Sequence, residues 1–514
     1  MLLDPARRDN MPIICKAAVA VILGLLFIEF QFTSAVQEQR SLGAALERSA
    51  LLANTTTESK NELLGELAVI VRAPVYTRLR LIHELQHGHT RSSIRQILES
   101  FPTLNEGNLE RWFSSVDTFL TAYAQGTASV SHGPVRVDLN QTALSGLPLI
   151  RRTLLAQLVT AWLTSLQRKL PDKLEAKVAK MVQQLYELHR ASVVQKGAME
   201  YFHISKAGGT SWNSAAKLNG CQAAHAAGSH VRGFGDECRW MNQTVYKKIT
   251  GGRRILWGRW GRVARDTHVH GCVARWEVVA GRGFSYISNE YTLQGGLQDM
   301  YDTHTCPQLV NVVTLRDPLR RMESAIRFIM MHVKRAFTHN DPRDGETTFN
   351  SLFCNASVAF WEALAPPITD NYLLRSFLGE LGFHTPLGGL NATHGSVARH
   401  LLLQFDLVLD LDAGERANDE MAYGGLGWPS TLSRAHALDG SVLAGKMDLD
   451  WDSCQPAGDA MRELRARQRH DVAFYRFGRV VSRLDALWLD MARSLGLAPL
   501  ARMVTAEAEP QEIG

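Results

Sequence analysis

What this chain lacks narrows it first. Its 514 residues contain no two cysteines spaced CxxC, so the spacing that builds most structural zinc sites is missing. They contain no GxxxxGK[ST] loop, so the phosphate cradle of P-loop NTPases is missing too. The basic excess is small, 56 Lys and Arg against 51 Asp and Glu, and gives no case for a nucleic-acid partner. Long apolar runs are scarce. The N-terminal one, 11–32, has an uncharged centre, 17–28, of only 12 residues.

With its ends counted, where Lys16 can snorkel, that run approaches the ~20 residues that span a bilayer. Arg7, Arg8 and Lys16 lie on its N-terminal side, which places that side in the cytosol. The expected organisation is a type II membrane protein with a cytoplasmic tail, 1–11, and a signal anchor, 12–32. Everything after residue 32 would be lumenal. A cleaved signal peptide is the alternative, because Thr33, Ser34 and Ala35 resemble a small-residue cleavage site. Five N-x-[ST] sequons, at Asn54, Asn140, Asn242, Asn355 and Asn391, agree weakly with the lumen. Cys15 sits in the apolar run. Cys221, Cys238, Cys272, Cys306, Cys354 and Cys454 form an even set, enough for three disulfides in an oxidising compartment or else six buried thiols. Spacing alone leaves their connectivity open.

Residues 33–195 read as helical. Leu63, Leu64, Leu67, Ile70 and Val71 fall at helical spacing, as do Leu79, Ile82 and Leu85, and Leu154, Leu155, Leu158, Val159 and Trp162. The stretch 168–190 is strongly amphipathic. Breaks are expected at Ala73-Pro74, at 101–103 and at 131–134. The segment is too apolar for a disordered stem, so it is expected to be a helical stem domain that self-associates or positions the α/β domain C-terminal to it. His83, His87 and His89 have no companion ligand set beyond Glu84, so no metal site is assigned. From 196 the pattern becomes apolar runs alternating with helices. Strands are expected at 201–204, 253–260, 284–288, 309–315 and 405–411. Helices are expected after Ser211 and over 319–333, 370–381 and 461–495. The fold class is α/β, a P-loop-like mostly parallel sheet flanked by helices, with ligand at the carboxyl ends of the strands. The domain is read as 196–497, with 498–514 a disordered tail.

One stretch organises the rest. Residues 201–212, YFHISKAGGTSW, run from a buried strand through a glycine-rich turn into a helix. Glycines let successive backbone amides approach one ligand, and a helix N-terminus adds a positive end. Lys206 adds a charge; Thr210 and Ser211 add hydroxyls. The expected ligand is a phosphate or a close relative. Phe202, His203, Ile204, Lys206, Gly208, Gly209, Thr210 and Ser211 resemble the 5′-phosphosulfate loop of Golgi sulfotransferases, close to F-x-H-I-x-K-T-G-G-T-[ST]. Ala207 replaces the usual Thr.

Further on, the strand 309–315 runs into Arg316, Asp317 and Pro318. With Arg321 and Ser324 these resemble the same family's 3′-phosphate motif, R-D-P-x-x-R-x-x-S. A guanidinium suits phosphate because its fork bonds bidentately. Residues 371–379, 405–409 and 470–475 are similar to later elements of the heparan sulfate 2-O/6-O sulfotransferase group. The resemblance spans about 200–490; residues 36–195 have no counterpart in it. It implies a membrane-bound carbohydrate sulfotransferase of the Golgi, moving a sulfuryl group from 3′-phosphoadenosine 5′-phosphosulfate to a glycan hydroxyl without a metal. Lys206, Ala207, Gly208, Gly209, Thr210 and Ser211 would hold the phosphosulfate. Arg316 and Ser324 would hold the 3′-phosphate, with Asp317 and Arg321 as scaffold.

An acceptor hydroxyl needs a base. In the resembling group a His lies some sixty positions after the loop Lys. Here His270 falls there, with His268 in support, since positions two apart on an extended segment share a face. Glu290 is the rival, because other sulfotransferases use a Glu base. His203 reads as packing. Arg253, Arg254, Arg259, Arg262, Arg265, Arg327, Lys334 and Arg335 offer a basic surface for an anionic glycan or simply a solvated face. Trp257, Trp260 and Trp276 offer sugar stacking or core. A kinase or NTPase, and an inactive binding protein on the same fold, are the alternative functions.

Overall fold

The computed structural model describes residues 42–49, 57–84, 104–128, 141–222, 241–251, 272–429, 432, 449–451 and 453–497. The apolar run 12–32, the tail 498–514, the expected strand 253–260, and His268 and His270 lie outside these residues. No helix among the described residues is long and apolar enough to cross a membrane.

Four short strands form one parallel sheet: β1 Met199–Phe202, β2 Tyr286–Asn289, β3 Val310–Leu315 and β4 Leu407–Asp410, in the order β2-β1-β3-β4. Every strand residue is buried, as a parallel sheet covered on both faces requires. Phe202 pairs with Asn289 on one side and Val313 on the other. The chain leaves β1 outward to β2, then crosses back past β1 to β3 and on to β4. β1 and β3 are therefore the neighbours at which the winding changes direction. In open α/β sheets the crevice beyond the carboxyl ends of such a pair is where ligands bind.

Several boundaries differ from the sequence reading. β1 ends at Phe202 rather than 204: 203–204 are irregular and the chain turns over 205–208. The helix Thr57–Glu84 runs through Ala73-Pro74 without the expected break. Leu67, Ile70 and Val71 are buried in the turns before the proline, so its missing amide removes one hydrogen bond and not the helix. The helix expected over 370–381 is two short pieces, Tyr372–Phe377 and Gly379–Phe383, preceded by a separate turn of helix, Pro366–Thr369. Buried Arg375 gathers the carbonyls of Asp370, Phe383 and Thr385, which a continuous helix would not bring together. The helix expected over 461–495 is divided into Gly458–Ala466 and Arg469–Ser494. At the division the buried Gln468 side chain donates to the Ile368 carbonyl and accepts from the Asn371 amide.

The helices of 42–196 share one buried hydrophobic cluster with the sheet and its covering helices. The joint is ionic at its centre. Arg151 and Arg152, from the Gln141–Thr164 helix, both reach Asp485 on the Arg469–Ser494 helix, at 2.9 and 2.5 Å, and all three side chains are fully buried. Arg152 also donates to the carbonyls of Leu403 and Phe405, and Arg151 to that of Asp406. Lys196 pairs with Asp406 at 2.8 Å, and Asp406 accepts the Asn311 amide at the start of β3. The amphipathic helix expected over 168–190 is Asp172–Lys196, begun after Pro171 and closed by Gly197 at φ 67°.

Two disulfides form, Cys272–Cys306 and Cys354–Cys454. Cys221 has no disulfide partner among the described residues, and Cys238 lies outside them. Trp276, half-buried, packs against the small core around Val279, Ile287 and Leu309.

Candidate functional site

The turn after β1 is tight and strained. The Ala207 amide donates to the Ile204 carbonyl, which reverses the chain within three residues. Lys206 has φ 67°, a left-handed conformation that side chains other than glycine rarely adopt. Such strain persists where the surroundings over-determine it, and it concentrates at functional sites. Gly208, at φ 93°, then caps the helix Gly209–Leu218. Gly209 has no room for a side chain: a Cβ there would lie 1.9 Å from the His203 imidazole. His203 is thus the packing partner of the turn, beside the Tyr201 ring at 5.8 Å. Tyr201 in turn stacks on Trp212 at 4.9 Å, and the Trp212 indole donates to Thr314 of β3. Ala207 is fully buried, so the position where the resembling loops carry Thr faces the core.

β3 delivers the second half. Arg316, directly after the strand, donates to the carbonyl of Lys206 at 2.9 Å across 110 positions of sequence. Asp317 caps the next helix, Pro318–Asn340, accepting from the amides of Leu319 and Arg320. Arg321 is fully buried, its guanidinium 4.5 Å from the centre of the Tyr372 ring. Ser324 lies on the same helix as Arg321, half-buried.

Lys206, Arg316 and Ser324 line a single cleft of about 290 Å³ with Arg320, Glu323, Arg327, Phe328, Met331, Leu449 and Trp451. The volume sits at the lower end of the range for small-molecule sites. Its lining carries four cations, Lys206, Arg316, Arg320 and Arg327, and one carboxylate, Glu323. Glu323 is tied to Arg465 at 2.6 Å, and Arg320 to Asp412 at 2.9 Å. Among the described residues Arg316 makes no ion pair. Burial pulls its pKa below the usual guanidinium range and Arg320 adds to this, while Asp412 and Asp317 oppose it. The Lys206 ammonium lies 4.3 Å from the centre of the Phe328 ring, and Arg327 stacks on Trp451 at 4.4 Å. A partly buried cleft with surplus positive charge, hydroxyl donors and a helix N-terminus beside it is built for an anion. A larger cavity of about 910 Å³, near Tyr186, Arg416 and Arg493, is remote from this turn. Its Arg416 and Arg493 are already paired with Glu420 and Asp490.

Comparison with protein-family models, with curated proteins and with solved structures finds no match for this chain.

The structure gathers Lys206, Arg316 and Ser324, with Gly208, Gly209, Thr210 and Ser211 forming the adjoining turn and first helical turn. Glu290 directly follows β2 and is 6% exposed; its carboxylate accepts from the Ser205 hydroxyl, which itself accepts from the Tyr372 hydroxyl. It stands beside the turn but inside the protein. No group of three His, Cys, Asp or Glu side chains able to hold a metal is found among the described residues. Sequence reasoning missed Phe328, Leu449 and Trp451. Only the four-residue spacing from Ser324 pointed to Phe328; nothing local pointed to the other two.

Proposed function

We propose that the chain is a sulfotransferase that moves a sulfuryl group from 3′-phosphoadenosine 5′-phosphosulfate to a hydroxyl of a glycan. One observation carries this reading: Lys206, Arg316 and Ser324 line one cleft at the carboxyl ends of adjacent β1 and β3. Lys206 and the amides of the turn would take the phosphosulfate, Arg316 and Ser324 the 3′-phosphate. The reaction is an in-line displacement at a loosely held central group, so positioning and charge stabilisation do most of the catalysis. Lys206 would neutralise charge growing on the bridging oxygen as the adenosine bisphosphate leaves. On the acceptor side Arg327 is exposed beside the cleft, which suits an anionic glycan. A lumenal, Golgi-membrane location is part of the proposal. It draws support from the two disulfides, which favour an oxidising compartment, and from Asn355, a sequon asparagine on the surface.

The test uses the full chain, because Arg151 and Arg152 belong to the core and a truncated 196–514 would leave Asp485 unpaired. Incubated with labelled donor and a panel of glycans, the protein should transfer label, and Lys206→Ala should abolish transfer. Binding of adenosine 3′,5′-bisphosphate without transfer would indicate a binding protein on this fold. Magnesium-dependent ATP hydrolysis would indicate an NTPase.

A further inference from the structure

The helix Pro318–Asn340 carries Ser324, Phe328 and His332 four residues apart. Side chains at this spacing form one ridge along a helix, each step advancing about 6 Å. Ser324 stands at the anion end of the cleft. Phe328, in the middle, carries the Lys206 ammonium 4.3 Å from its ring centre. His332, at the far end, packs edge-on against the same ring with 4.3 Å between centres. Through that shared ring the imidazole centre lies no farther than twice 4.3 Å from the ammonium. His332 is half-buried, and among the described residues no hydrogen bond engages its ring nitrogens. The order along the ridge is hydroxyl, ammonium, imidazole. If the 3′-phosphate sits at Ser324 and the departing bridging oxygen at Lys206, the attacking group enters from the His332 end.

We propose that His332 is the general base of the transfer, taking the proton of the acceptor hydroxyl at the end of the ridge opposite Ser324. This rests on the sulfotransferase reading above. The acceptor oxygen forms its bond to sulfur while the bond from sulfur to the bridging oxygen breaks. That electron pair stays on the 5′-phosphate of the leaving bisphosphate, and the acceptor proton moves to an imidazole nitrogen, from which solvent removes it. The charged groups acting on His332 are Lys206 and Arg335; burial and these two cations hold its pKa below the ordinary 6.5, which keeps it in the base form at neutral pH. Glu290 is engaged with Ser205 inside the protein, and His268 and His270 lie outside the described residues.

The experiment compares the full-length wild type with His332→Gln and His332→Asn. Binding of adenosine 3′,5′-bisphosphate is measured by calorimetry. Turnover is read as bisphosphate released from the donor, with glycans or water as acceptor, so that the rate does not depend on knowing the sugar. The expected result is unchanged bisphosphate affinity, a rate lower by about 10²-fold or more, and loss of the acid limb of the kcat/KM profile. Variants that keep both the rate and the acid limb overturn the assignment and move the base to His270 or Glu290. Variants that lose affinity together with rate make His332 a nucleotide-holding residue, which also overturns it. A wild type that binds no bisphosphate, or releases none, removes the sulfotransferase reading itself.

Discussion

Two clusters of cations in this molecule have opposite fates. At the joint between the helical half and the sheet, Arg151 and Arg152 are fully buried, and Asp485 closes them with its carboxylate. At the cleft, Arg316 is only partly buried and bonds to nothing but a backbone carbonyl among the described residues. The first cluster carries its own anion and is sealed from solvent. The second presents charge, hydroxyl and helix terminus at an open crevice. Buried charge is costly unless it is paired, and Asp485 pairs this cluster, so the closed cluster belongs to the fold. A half-buried guanidinium without its carboxylate is available to a ligand.

The comparison breaks most forcefully at Asp485. Asp485→Ala would leave two guanidiniums buried without a counter-charge and should destabilise the protein by about 3–5 kcal/mol. Denaturant unfolding of the full chain measures this. A variant as stable as wild type would mean the joint is not closed in solution.

The next effect is on pH. His189 lies in the same joint, its Nε2 donating to the Gly425 carbonyl and its ring edge-on to Trp488. Burial, with Arg151 adding to it, pushes its pKa down from 6.5 to about 4. A folded-state value below the unfolded one contributes stability that is present above 6.5 and is lost as pH falls toward 4, since the unfolded chain takes the proton first. The displacement corresponds to about 3 kcal/mol. Unfolding free energies measured between pH 7 and 4 should fall more steeply in wild type than in His189→Gln; equal slopes would put His189 outside the joint.

At the cleft the signs reverse. Arg316→Ala should cost little stability but weaken adenosine 3′,5′-bisphosphate binding by about 2 kcal/mol, or about 30-fold, the worth of a charge-assisted hydrogen bond. Ser324→Ala should weaken it by about 1 kcal/mol, or about fivefold. Calorimetric titration reads both. If Arg316→Ala unfolded the protein as Asp485→Ala should, the two clusters would not differ in kind.

Much of the cleft was legible in sequence because its parts are local. A strand, a glycine turn and a helix start form a contiguous signal at 201–212, and so does a strand end followed by Arg316 and an Asp-capped helix. The sheet was legible for the same reason: β1, β3 and β4 lie in short, mainly apolar stretches. Arg151 and Arg152 were not legible, because a pair of arginines in a helical stretch reads as solvated surface until the partner is known. Asp485, 334 positions from Arg151, is that partner. The breaks around 371 and 467 were hidden likewise, since side chains of Arg375 and Gln468 impose them through contacts remote in sequence.

The sequence by itself determined the glycine turn after β1, the arginine at the end of β3 and the order of strands along the chain, because each depends on neighbours a few residues apart. Only the tertiary structure decided that Lys206 and Arg316 meet, that Phe328 and His332 stand beside them, and that the helical half is fused to the core. Those facts depend on which strands lie side by side and on which buried charges must find a counter-charge, and chain-distant packing sets both.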